Sequence, residues 1–118
     1  MMGEANPVVA EAVRALRRAY RETGRAIWRE LERRVMRPRS RLAEMSLARL
    51  AKAAKDAQLV AVPGKVLGSG FLERPLVIGA LYFSKSAYDK IRMAGGTPLS
   101  LSEFVRSYKE AKGVRLLE

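Results

Sequence analysis

The chain contains neither cysteine nor histidine, and together these absences remove most familiar site chemistries. Disulfides, thiol catalysis, histidine general bases and the usual zinc sites all need one or the other. Acidic residues are also scarce, 12 against 23 lysines and arginines. Those that could form an acid–base pair, Asp56, Glu73 and Asp89, are scattered along the chain. Long apolar runs are missing. The longest uncharged run near the middle, Pro75–Ser84, falls far short of the ~20 residues a membrane helix needs. The opening Met1-Met2-Gly3-Glu4 has no basic n-region and no apolar h-region, so no signal peptide is expected. The expectation is an intracellular soluble protein that is not an enzyme, with no metal, cofactor, membrane or small-molecule substrate.

What is present is positive charge. A net charge of +11 on 118 residues is large for one domain, or one domain with a small helical appendage, and points to a polyanionic partner. Sixteen of the 23 basic residues are arginine, the side chain that forks onto phosphate oxygens. The apolar fraction, 48%, is enough for a real core.

The stretch Leu59–Gly70 is the one around which the rest is organised. Leu59-Val60-Ala61-Val62 reads as a strand buried on both faces. Pro63-Gly64 is expected to stop it in a turn carrying Lys65, and Gly68-Ser69-Gly70 to bend the backbone again. Glycines beside a lone lysine form a place where backbone can meet phosphate. The nucleotide motifs do not fit, however. A Walker loop would need glycine at Leu59 and a hydroxyl at Val66, and the dinucleotide fingerprint would put its third glycine on Glu73. The glycine clamp of KH domains fails as well, with three residues between Gly64 and Gly68 where it needs two.

Before that stretch the pattern is helical. Asn6-Pro7 caps a first helix with Val9, Val13, Leu16 and Tyr20 at helical spacing, closed by Gly24. Arg14, Arg17, Arg18 and Arg21 fall elsewhere on that cylinder. A second helix, Arg25 to about Met36, carries Ile27, Trp28, Leu31 and Val35 inward and breaks at Pro38. Trp28 reads as a core anchor. Ser46 caps a third helix with Leu47, Leu50 and Ala54 inward and Arg49, Lys52 and Lys55 outward.

After Ala57 strand-like segments take over: Leu59–Val62, Val66–Leu67, Leu76–Leu81 and Val114–Leu117. Ser84 and Ser100 cap helices between them, the first bearing Ala87, Tyr88 and Ile91, the second Phe104 and Val105. The expected organisation is N-terminal helices and linker over residues 1–56 and a small α/β domain over 57–118. Residues 1–58 hold 14 basic against 7 acidic residues, whereas 59–118 hold 9 against 5, so the helical half and the Lys65 turn are the expected anion-facing surface.

The linker Arg33–Arg41 has five arginines and no acid. Like charges so dense repel unless an anion lies among them, and Pro38 is expected to keep the segment extended so that alternate arginines reach different phosphates. One alternative is a DNA-binding helix-turn-helix regulator made from the first two helices, but the second offers mainly Arg29, Glu30, Glu32, Arg33 and Arg34, with little amide chemistry for reading bases.

Several motifs together carry a resemblance. Ile27-Trp28-Arg29, Arg37-Pro38-Arg39, the Glu44–Leu50 segment, Val62–Gly68 followed by Gly70, Phe83-Ser84, Ala94-Gly95-Gly96 and Gly113-Val114-Arg115 resemble the archaeal and eukaryotic large-subunit ribosomal protein eighteen family (the eighteen-e type, distantly similar to bacterial large-subunit protein fifteen). The resemblance spans essentially the whole chain. Two departures stand out, Ser40 within the basic run and Met45-Ser46 where the family usually has Val-Asn. It implies an α/β fold, a small irregular β-β-α layered domain similar to protein fifteen, preceded by an N-terminal helical region. It also implies a cytoplasmic, ribosome-bound structural protein whose partners are large-subunit ribosomal RNA and neighbouring large-subunit proteins. The RNA-facing residues it implies are Arg37, Arg39, Arg41 and Lys65, with backbone amides near the glycine turn of Gly64, Gly68 and Gly70. Charge placement alone adds Arg25, Arg33, Arg34, Arg49 and Lys52.

Overall fold

The computed structural model describes residues 6–118; the Met1–Glu4 opening lies outside them. Asn6 caps the first helix, its side-chain oxygen accepting from the Val8 and Val9 amides, and α1 runs Pro7–Thr23 until Gly24 takes a left-handed conformation. α2, Ala26–Val35, folds back beside it. Trp28, Leu31 and Val35 are buried with Leu16 of α1, and the Trp28 indole donates to the Lys109 carbonyl at 2.7 Å. Trp28 is thus a core anchor whose polar edge is satisfied.

Five strands follow, β1 (Ala43–Ser46), β2 (Leu59–Leu67), β3 (Val77–Phe83), β4 (Thr97–Ser100) and β5 (Val114–Leu116), with α3 (Leu47–Ala54), α4 (Lys85–Met93) and α5 (Leu101–Ser107) between them. All pairings are parallel. The order is β1-β2-β3-β4, and β5 joins β2 on the edge it shares with β1. A parallel sheet must be covered on both faces. α3 and α4 cover one face, packing Leu50 and Ile91 against Val60, Val62 and Ile78. α1, α2 and α5 cover the other, where Leu16, Trp28 and Phe104 meet Ala61 and Leu81. The small α/β layer with an N-terminal helical region is what forms. Alternation along β2 explains the split, since Val60 and Val62 point one way and Ala61 the other.

Three strands run directly into helices, and the serine ending each strand, or following it, is the helix cap. Ser46 accepts from the Arg49 amide, Ser84 from Ala87 and Ser100 from Glu103. The inward positions expected for these helices are buried, with one exception: Tyr88 of α4 is exposed because it falls on the outer side of the turn from Ala87 and Ile91.

The largest difference from the sequence reading is at Pro63-Gly64. The expected turn does not exist: β2 continues through it as one strand, so Val66–Leu67 is the second half of β2. Two features make this possible. The register against β3 shifts between Val62 and Lys65, a bulge of the kind that accommodates proline inside a sheet. On the other side β5 pairs with Leu59–Ala61 and β1 with Gly64–Leu67, so Pro63 falls in the gap where no amide is demanded. The sequence pattern does not announce β1 or β4 either. Both are four-residue strands whose side chains only partly alternate in polarity, and their pairing comes from neighbours distant in sequence.

Candidate nucleic-acid interface

The linker between α2 and β1 arrives at the sheet edge at the junction between β5 and β1. It is not extended there. Arg39–Arg41 close a single 3₁₀ turn, the Arg41 amide donating to the Pro38 carbonyl at 2.8 Å. Pro38 disfavours helix only in the residue before it and is itself compatible with starting a turn, which is why the expected extended segment curls.

The anion demanded by the linker's charge density comes partly from the chain itself. Glu118, just past β5, accepts from Arg34 at 2.8 Å and from Arg37 at 3.0 Å. Glu30, one turn back on α2, takes Arg33 and Arg34, the latter at 2.6 Å. Hydrogen bonds from Arg33 and then Arg34 hold the Glu30 carboxyl down to about 2. Arg25, preceding α2, lies 3.7 Å from Glu110. Arg25, Arg33, Arg34 and Arg37 are therefore engaged within the protein.

Arg39, Arg41, Arg49 and Lys52 differ. All four are exposed, and none has a salt bridge among the described residues. Arg39 and Arg41 sit on the turn that leads into β1, and Arg49 and Lys52 lie on the outer side of α3, which follows β1. α3 has no acidic residue in its first turn, so Arg49 stands against the positive end of that helix, an arrangement that an external anion relieves.

Lys65 and the glycines lie elsewhere than expected. Lys65 is half-buried in β2, in register with Glu44 of β1 and Tyr82 of β3, and not on a turn. Gly64 is buried because β1 crosses it closely: a Cβ there would stand 2.0 Å from the Ala43 carbonyl oxygen. Gly68 and Gly70 do form a bend, but it packs inward against the first turns of α4 and α3, and Lys90 donates to both their carbonyls at 2.7 and 3.0 Å. The glycines serve approach within the chain.

Other cations are also spent internally. Arg115 donates to the Ala54 carbonyl at 3.1 Å and Arg74 to that of Ala57 at 2.8 Å, both around the C-terminal end of α3. Two surface features go beyond the sequence reading. Phe71 is 70% exposed, with the Lys90 ammonium 4.2 Å from its ring centre. Arg14, Arg17, Arg18 and Arg21, placed off the apolar face of α1 but assigned to no site, form one stripe, and their i, i+3, i+4, i+7 spacing is the signal that marks it.

Comparison with known proteins places the chain among ribosomal proteins. The family model described as ribosomal proteins 50S-L15 and 50S-L18e, with a member from the 60S subunit, matches residues 44–98, from β1 to β4. Large ribosomal subunit protein eL18 of Archaeoglobus fulgidus is 35% identical over 116 residues, covering 98% of this chain and 99% of that protein. The eL18 of Methanothermobacter thermautotrophicus is 36% identical over 113 residues, 96% and 93% of the two chains. That of Methanoregula boonei is 37% identical over 112 residues, 95% and 93%.

Proposed function

Given that the chain belongs to the large ribosomal subunit protein eL18 family, we propose that it is a structural constituent of the large ribosomal subunit, binding and stabilising folded ribosomal RNA. Arginine and lysine contacts to phosphates do this work, and no chemistry is catalysed. The observation that carries the reading is the exposed group Arg39, Arg41, Arg49 and Lys52, without acidic partners among the described residues, on a chain of net charge +11. Each cation that neutralises a phosphate releases a counterion, so affinity falls with salt. Recognition is by RNA shape, because the deep major groove of A-form RNA is closed to side chains. Neighbouring large-subunit proteins share the assembly, and the cytoplasmic ribosome is its location.

The helix-turn-helix alternative finds less support. The outward side of α2 holds Arg29 and Arg33, with Arg33 tied to Glu30, and the helix has no Asn or Gln to read bases.

The test is sedimentation. The protein should travel with large subunits and be stripped by high salt, and a variant with Arg39, Arg41, Arg49 and Lys52 all changed to Glu should stay in the free fraction while keeping its helical circular dichroism. A wild-type protein that stays free of subunits and rRNA at physiological salt, or a variant that still sediments, overturns the proposal.

A further inference from the structure

On the face of the sheet opposite α3, α1 and α5 lie side by side, joined by Leu16 and Ala19 against Phe104 and Val105. Between them runs an open groove of about 840 Å³. Arg14, Arg17, Arg18 and Arg21 of α1 line one wall, and Arg106 and Lys109 stand on the α5 side. Against these six cations the groove has two carboxylates, Glu11 and Glu22. Glu22 is taken by Arg18 and Lys109, and these same two hold its carboxyl below the usual range. Arg17 turns to Glu32 at 2.6 Å. Arg14, Arg21 and Arg106 are exposed, with no salt bridge among the described residues.

A stripe of four arginines at helical spacing places like charges next to one another along two turns, which weakens a helix unless something anionic lies across it. The floor is Ala15, Ala19 and Val105, small side chains that offer a peptide no large apolar anchor, whereas guanidinium walls suit a phosphate backbone.

We propose that the α1–α5 groove is a second RNA-binding surface, so that one molecule holds two RNA segments, one on each side of its sheet. The inference rests on the RNA-binding reading above and extends it. The first surface includes Arg49 and Lys52 on α3, whose Leu47, Leu50 and Ala54 enter the core on one face of the sheet. α1 and α5 enter the core on the other. The two surfaces face opposite ways across the sheet, and a stiff double helix does not fold round a body this small to reach both.

The experiment is a capture assay with two RNA hairpins of unrelated sequence, one immobilised and one fluorescent, using the full chain shown by light scattering to be monomeric. Wild-type protein should bring the fluorescent hairpin to the surface. The variant Arg14→Glu, Arg21→Glu, Arg106→Glu should still bind the immobilised hairpin but lose capture of the second, with its salt slope reduced by about 2 to 3. The same positions changed to Gln, with an unaltered melting curve, should lose capture too. Full capture by either variant overturns the proposal, as does capture by none of the proteins while wild type binds one hairpin through Arg39, Arg41, Arg49 and Lys52. Displacement of the captured hairpin by polyglutamate without loss of the immobilised one would assign the groove to an acidic protein instead. If wild type binds neither hairpin, the RNA-binding reading itself fails, a result distinct from the others.

Discussion

Leu59–Gly70 and Arg33–Arg41 both look, in sequence, like places where the chain meets phosphate, and the fold treats them differently. The first becomes the central strand of a parallel sheet, its proline in a pairing gap and its first glycine pressed on Ala43. The second stays at the sheet edge, but Arg33, Arg34 and Arg37 are bound to Glu30 and Glu118, leaving Arg39 and Arg41 for solvent or a ligand. Glycine marks close approach without saying to what. Arginine density marks demand for an anion without saying whose.

The sharpest way to break this comparison is Gly64→Val. If Gly64 serves β1, the variant loses more than about 4 kcal/mol of stability in a denaturant melt, since Cβ would lie 2.0 Å from the Ala43 oxygen. A folded variant impaired only in RNA binding would restore the phosphate-facing reading. Next in size, Arg39→Glu with Arg41→Glu should cost about tenfold in rRNA affinity and lower the salt slope by about 1.5, with the melt unchanged. Arg34→Ala should do the reverse. Its side chain is 24% exposed between two carboxylates, and losing it should cost about 1 kcal/mol of stability with affinity changed by less than about twofold.

Smaller still, Glu118→Gln should raise rRNA affinity about two- to threefold, because Arg37 is released to a phosphate. A fall in affinity would mean that Glu118 positions the linker for RNA. The smallest effect is on pH dependence. The Glu30 carboxyl is held down to about 2 by its arginines, so its contribution is complete above the ordinary carboxylate pKa of 4.5 and is lost as pH falls from there toward 2. Glu30→Gln should flatten the stability profile in that window, as read by melts across the acid range.

Local signals were legible. Asn6, Ser46, Ser84 and Ser100 cap the helices their positions announce, because a cap is a bond between a side chain and an amide two or three residues on. The buried character of Leu59–Val62 and the anchoring of Trp28 were equally plain. The short strands β1 and β4 were not, because four residues carry too little periodicity to announce pairing. In the candidate interface, the exposure of Arg39, Arg41, Arg49 and Lys52 agrees with their sequence surroundings. The bonds of Arg34 and Arg37 to Glu118 could not be read there, since that carboxylate lies more than eighty residues away.

The sequence by itself determined the helix boundaries, the apolar faces, the polyanion-seeking charge and the family. Only the tertiary structure decided which cations remain available. That choice depends on which carboxylates and carbonyls the parallel sheet brings alongside them. A Coulomb interaction acts over a few ångströms of space whatever the separation along the chain.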